Sequence, residues 1–452
     1  MRSISARALL AGATLGLVAC GPMNSSVTDG GADASPQCEV ELVAPSSLSV
    51  GQGAPLRFGL TGAQARSAVS VRSMPEGAWG ASDAPFDAVI VRAPYTASGA
   101  VSVTVEVTCA NGGRAERRAT LEVRALRWQS LATWTGDMDG PLAREYGSQW
   151  MDPSDPDRML VYGGFVYVPQ QFTPSFDWWE FSLSSNRWTR LTTMDTPPGL
   201  PGGRLALGPE AGQGLYFGGL MGQRATPQGT YRVRFARGAM PSFETLDVMS
   251  SRRVGDYQPG LVFDAPRNRY VSFCGVNTAQ GNHCSVWLFD PATQRWTASD
   301  DATSESVPEG RAGMAFVHDA AEQRAVMFSG DTGGGFSEGV WQLDLTQTPP
   351  RWSAITTTGA MIPPRRNSGF AIDPDARRML VWGGTNDGRT SVPGLWFLSL
   401  DRGHERWDRV DVPNGPRIRS SSMVVYDAAR KRFVMGFGNG PQPFTDLWAL
   451  AL

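Results

Sequence analysis

The chain has 452 residues and a formal net charge of −2, with 19% of its residues charged. That balance excludes a general field that would draw it to nucleic acid, and no Lys/Arg-rich run supplies a local one. Five cysteines and three histidines (His283, His318, His404) are too scattered for a zinc cluster. His283 beside Cys284 is the nearest approach to a metal pair, and two groups do not complete a site, so no metal or other cofactor is expected.

Residues 1–19 begin with Arg2 and Arg7 and continue in an apolar run from Ala8 to Ala19. The run is too short to span a bilayer as a helix and reads as a signal peptide. Its end, Leu17-Val18-Ala19-Cys20-Gly21, resembles the bacterial lipobox. The resemblance implies acylation of Cys20, cleavage before it, and membrane attachment by this N-terminal lipid alone; an ordinary secretory signal is the alternative. Gly21 in place of an aspartate implies an outer-membrane lipoprotein, on the periplasmic or the cell-surface side. Residues 20–37 are Ser, Asp, Gly, Ala and Pro with scarcely an apolar anchor. They cannot offset their own ordering entropy and read as a flexible tether.

Residues 38–125 alternate short β-rich runs with turn residues. Val101, Val103, Val105 and Val107 interleave with Ser102, Thr104, Glu106 and Thr108, the pattern of a strand with one buried face. Asn111-Gly112-Gly113 predicts a hairpin to the next strand. The size, with Cys38 near one end and Cys109 near the other, suggests an immunoglobulin-like sandwich stapled by that pair. No Trp stands where an antibody-type core needs one, since Trp79 lies in a Gly/Ala/Ser stretch. A generic sandwich spacer fits equally.

Residues 126–452 repeat. A glycine doublet or its equivalent recurs about every 55 residues: Gly163-Gly164, Gly218-Gly219, Cys274-Gly275, Ser329-Gly330, Gly383-Gly384 and Phe437-Gly438. Each is followed by an aromatic-x-apolar strand, as at Trp179, Tyr231, Trp287, Trp341, Trp396 and Trp448. An outer strand opened by Arg-Trp comes next at Trp188, Trp296, Trp352 and Trp407, with Phe243 standing in where the second unit diverges. Ahead of the doublets are turn residues Asp152, Asp264, Asp319, Asp373 and Asp427, with Gly208 in the second unit. An aspartate opening a hairpin bonds its own downstream amides, so these are expected to be structural rather than ligands for calcium.

Together these residues resemble the kelch repeat, and the resemblance implies an all-β fold: a six-bladed kelch-type β-propeller preceded by the small immunoglobulin-like β-sandwich. The sixth unit stops before an Arg-Trp strand, and Leu126-Arg127-Trp128-Gln129-Ser130-Leu131 carries one. Strand 126–131 is therefore expected to complete the last blade and remove open sheet edges. Most tryptophans should then be buried between blades rather than stacked on carbohydrate. Cys274 and Cys284 would pair and stiffen one loop, which leaves no thiol for chemistry.

Kelch propellers often bind ligands through arginines at one mouth of the central channel. Eight residues ahead of the turn aspartate stand Arg144, Arg311, Arg365 and Arg419, with Leu200 and Asp256 at the corresponding places in units two and three. Four guanidinium groups facing a carboxylate could bind an acidic ligand, or pair with neighbouring acids and carbonyls. Two histidines and two tyrosines for copper, as in galactose oxidase, are not supplied, and no sialidase Ser-x-Asp-x-Gly-x-x-Trp box occurs. Kelch sialic acid mutarotases also need an acid or base, for which Asp256 or Glu145 qualify by position. The function expected is a non-catalytic, envelope-anchored module that acts as a monomer and docks a protein or glycan through propeller loops. The alternative is an enzyme acting on an acidic sugar. The two differ in whether a carboxylate and the four arginines converge in one pocket.

Overall fold

The computed structural model describes residues 40–452 except 45–46, 52, 61–65, 74–79, 84–87, 94, 96–97, 110–111, 137, 169–170, 192–200, 209, 211, 222–223, 226–228, 237–238, 249–255, 278–280, 300–306 and 443. The expected signal peptide, tether, lipidation site Cys20 and pairing of Cys38 with Cys109 lie outside the described residues and side chains.

Six antiparallel sheets, each built on four strands, succeed one another from residue 148. In the first blade Ser148–Met151 lies innermost, followed by Arg158–Tyr162, Trp178–Ser182 and Arg187–Leu191. Blades 2 to 5 repeat this order over 204–245, 260–299, 315–355 and 369–410. The sixth uses Met423–Asp427, Arg432–Gly436 and Asp446–Ala451, and its outer strand is Arg127–Thr133. Trp128 stands opposite Leu450 as Trp407 stands opposite Leu398. The chain is thus an all-β, six-bladed kelch-type propeller.

The second strand of each blade has neighbours on both faces, so its side chains do not alternate. All five residues of Arg158–Tyr162, Arg324–Phe328, Arg378–Trp382 and Arg432–Gly436 are buried, the signature of a strand covered on both sides. Aromatic pairs make the seams between blades. The outer-strand Trp296, Trp352 and Trp407 lie 4.8, 5.5 and 4.9 Å from Phe217, Phe273 and Phe328 of the preceding blade. Phe243 takes the same place 5.3 Å from Tyr162, Trp188 lies 5.8 Å from Phe437, and Trp128 lies 6.4 Å from Trp382. Such offset ring pairs add to the area they bury.

The turn aspartates do bond downstream amides: Asp152 accepts from Ser154, Asp373 from Ala376 and Asp427 from Arg430. They also accept from an arginine that opens the second strand. The pairs are Asp152–Arg158 at 3.0 Å, Asp264–Arg269 at 2.9 Å, Asp319–Arg324 and Asp373–Arg378 at 3.1 Å, and Asp427–Arg432 at 3.0 Å. Each is largely removed from water, so breaking one strands a buried charge.

Ahead of the propeller are two four-stranded sheets. Gly99–Cys109 and Arg114–Arg124 form the expected hairpin, and Val103, Val105 and Val107 are fully buried in a core that also holds Leu56 of the other sheet. This two-sheet unit rests on blade 5. Tyr95 stacks on Phe397 with ring centroids 4.9 Å apart, and Arg378 donates to the Val50 carbonyl at 2.6 Å. Arg378 opens its strand and Asp401, paired with Arg92, follows the third strand. Both belong to the side carrying the aspartate turns, so the glycine doublets and the loops after them lie on the opposite face.

Candidate functional site

The four arginines predicted at the channel mouth occupy equivalent places but are turned into the wall. Arg144, Arg311, Arg365 and Arg419 are only 1–2% exposed. Each Nε donates to the carbonyl two residues earlier, at Leu142, Glu309, Pro363 and Arg417. Each Nη1 donates to the first carbonyl of its blade's doublet, at Gly163, Ser329, Gly383 and Phe437. The guanidinium therefore holds the loop that follows the second strand.

Backbone bonds extend this clamp around the ring. The second residue of a doublet donates its N–H to the ring residue of the next blade: Gly219 to Asp256, Gly275 to Arg311, Gly330 to Arg365, Gly384 to Arg419 and Gly438 to Arg144. Asp256 thus stands at the same level as the arginines. It is fully buried and accepts from Asn277 and His283 at 3.2 Å each. His283 Nδ1 accepts from the Ser285 amide, which places the ring proton on Nε2, facing Asp256. Leu200 lies outside the described residues.

The arginines differ in what completes them. Arg144 binds both oxygens of Asp177 at 2.7 and 2.9 Å, and Arg419 binds Asp446 in the same two-pronged way. Trp179 and Trp448 donate their indole N–H to those carboxylates at 2.7 and 2.9 Å. Burial alone would raise Asp177, but the hydrogen bonds and charge of Arg144 outweigh it and hold the carboxyl at about 2. In blades 4 and 5 glycines, Gly339 and Gly394, replace these aspartates. Burial then lowers Arg311 and Arg365 to about 10, and Arg365 Nη2 and Trp396 Nε1 have no hydrogen-bond partner among the described residues.

Two residues past each ring position the chain turns left-handed, at Tyr146, Gly202, Gln258, Gly313, Asn367 and Ser421, with φ between 53° and 78°. That conformation is costly for residues such as tyrosine and glutamine. A belt of bonds between blades holds it: Gly202 N–H to Tyr146 O, Gln258 to Gly202, Asn367 to Gly313, and Ser421 to Asn367. Side chains bridge the bore inside the belt, Gln258 donating to Asn367 at 3.1 Å and Asn367 to the Tyr146 hydroxyl at 2.8 Å. Gly313 leaves room for this bridge, since a Cβ there would fall 2.5 Å from Asn367 Oδ1.

Beneath the bridge lies a cavity of about 240 Å³ that Arg204, Gln149, Trp150, Ser422 and Phe370 help to line. Above it, Glu145 borders a small hollow with Tyr167, Phe172 and Asn439. Burial pushes the Glu145 carboxyl up to about 7, and the neighbouring polar groups of Asn439 and Ser421 oppose the shift only in part. The adjoining blade 1 hairpin, Phe165–Val168 with Gln171–Pro174, exposes Tyr167 (41%) and Phe172 (44%), and Phe176 beyond it is 47% exposed.

Among the described residues no three His, Cys, Asp or Glu side chains come together as a metal site. Cys274 and Cys284 are joined in a disulfide across neighbouring strands of blade 3. The arginine register was legible in the sequence. The left-handed belt and Arg204 were missed; the one available signal was the two-residue spacing from ring residue to a Gly, Asn or Ser, which Tyr146 and Gln258 obscure.

No family model matches the chain. Among curated proteins it is similar to adagio-like protein 2 of Oryza sativa subsp. japonica, 23% identical over 391 residues, or 76% of this chain and 58% of that protein. The chain therefore spans less than two-thirds of that relative's length. Among solved structures it is similar to that of YjhT, with 15% identity and a TM-score of 0.49 over 70% of this chain and 95% of the other.

Proposed function

We propose that the chain is a non-catalytic binding module that docks an envelope protein or glycan through the propeller loops opposite the two-sheet unit. The exposed aromatics Tyr167, Phe172 and Phe176 on that face carry the reading. Aromatic rings offer large contact area at small entropic cost and dominate many recognition surfaces. The arginines and Asp256 support it as well, since each is held by its own wall and no described cavity brings them together.

In this reading Cys20 carries the lipid, residues 20–37 are the tether, residues 38–125 form the immunoglobulin-like spacer and residues 126–452 the propeller of an outer-membrane lipoprotein, acting as a monomer. The disulfide supports export, because such bonds persist in oxidising compartments. No described helix is long and apolar enough to cross a membrane.

The test is binding of the chain from residue 38 onward to acidic and neutral glycan arrays and to envelope fractions, beside the double variant Tyr167→Ala, Phe172→Ala. Selective binding that the variant loses supports docking through this face, and retention by the variant overturns it. Replacing the four arginines would instead unfold the ring.

Glu145 favours a second reading, an enzyme acting on an acidic sugar in the manner of a sialic acid mutarotase. A carboxyl at about 7 beside an open hollow can both give and take a proton at neutral pH. Faster anomer exchange of sialic acid with the wild-type chain than with Glu145→Gln, followed by NMR, would establish it; equal rates would remove it.

A further inference from the structure

We infer that the central channel of the propeller binds one small carboxylate anion, with Arg204 as its counter-charge. Arg204 opens the innermost strand of blade 2, and its guanidinium lies 5.9 Å above the rings of both Phe316 and Phe370. Those rings belong to blades 4 and 5, so the side chain reaches across the bore. Every fully buried arginine described here donates to a carboxylate or a carbonyl. Arg204 pairs with no carboxylate among the described residues, and its buried Nε has no hydrogen-bond partner.

A part-buried guanidinium walled by aromatic rings, with no carboxylate partner among the described residues, is costly, and an entering anion relieves it. Burial holds the group below the usual arginine value, against a smaller opposing influence of Tyr216 and Tyr257. Its planar fork suits a carboxylate, which can take two parallel hydrogen bonds. Two further unpartnered atoms belong to side chains lining the same cavity, Gln149 Oε1 and Ser422 Oγ. An acceptor and a hydroxyl there would serve a hydroxyl on the same ligand.

The cavity of about 240 Å³ is large enough to hold several water molecules. It has room for a short-chain acid, and none of Tyr167, Phe172 and Phe176 lines it. This site is therefore separate from docking through the loop face, and either can fail without the other.

Calorimetric titration of the folded chain with propionate, lactate, inorganic phosphate and glycerol, at matched ionic strength, tests the inference. Wild type should bind propionate and lactate with millimolar or tighter dissociation constants, lactate the more tightly, and should not bind glycerol. Arg204→Gln should weaken carboxylate binding at least tenfold, and Arg204→Lys, which keeps the charge and loses the fork, should fall between. The Tyr167→Ala, Phe172→Ala variant should bind the acids as wild type does. Absence of carboxylate binding by wild type, equal binding by Arg204→Gln, or equal binding of glycerol would overturn it. Tighter binding of phosphate than of either acid would overturn the carboxylate assignment. Should Arg204→Gln fail to fold, the Arg204→Lys titration supplies the decision.

Discussion

Gly438 donates its backbone N–H to the carbonyl of Arg144 at 2.9 Å, and this bond ties the last blade to the first. The same residue's guanidinium grips Asp177 within blade 1. One arginine thus serves both the closure of the ring and the anchoring of the blade 1 loop, which explains why a basic residue is buried there.

Replacing Arg144 by methionine should lower the unfolding free energy in urea by about 3–5 kcal/mol, because Asp177 would remain buried without its counter-charge. Adding Asp177→Leu to that variant should restore much of the loss. The wild-type pair also predicts an acid dependence. Asp177 is held at about 2 against about 3.9 unfolded, so its contribution of about 2–3 kcal/mol is complete above about pH 5 and lost as pH falls through about 2. Asp177→Asn should abolish that component of an acid titration.

Glu145 predicts the opposite sign. Its carboxyl lies at about 7 in the fold and near 4.3 when unfolded, so between these values the fold retains a proton that the unfolded chain releases. Stability should therefore fall as pH rises through this window, by up to about 4 kcal/mol, and level off above it. Thermal melts at pH 5 and pH 8 should show the difference in wild type and a smaller one in Glu145→Gln. Identical pH profiles for the two proteins would disprove the assignment.

Tyr95 is the main aromatic contact between the two-sheet unit and blade 5, lying 4.9 Å from Phe397 with Arg378 4.8 Å over the same ring. Tyr95→Ala should cost the stacking energy of about 0.5–1.5 kcal/mol beyond lost area. Because Arg378 keeps Asp373, blade 5 should stay folded while the two-sheet unit loosens. Hydrogen exchange should accelerate in Gly99–Cys109 and leave Arg378–Trp382 protected.

The outer strand of blade 6 makes a truncation decisive. A fragment of residues 126–452 should be monomeric and cooperative, whereas 134–452 lacks Arg127–Thr133 and exposes the edge of Asp446–Ala451. Unpaired strand edges recruit other chains. Size-exclusion chromatography should show aggregation of the shorter fragment alone.

Much of the propeller is written in the chain because its elements repeat. The doublet, the aromatic strand and the Arg-Trp strand recur at one interval, so even the partner of the incomplete sixth blade can be named from Leu126 to Leu131. The Asp-to-Arg pairs, such as Asp373 with Arg378, recur as regularly and could have been read the same way. Where a unit departs from the repeat, as at Gly208 and Phe243, the fold absorbs the change, because Phe243 still meets Tyr162 across the seam.

By itself the sequence determined the number of blades, the order of strands and the position of Arg144, Asp256, Arg311, Arg365 and Arg419, since these follow from local periodicity. Only the tertiary structure decided where the charges point. Arg144 and Arg419 find carboxylates because Asp177 and Asp446 lie within reach, Arg311 and Arg365 have glycines at that place, and Arg204 crosses the bore to rings from two other blades. Whether a buried guanidinium is satisfied depends on groups brought together from distant parts of the chain, and spacing along one strand carries no record of them.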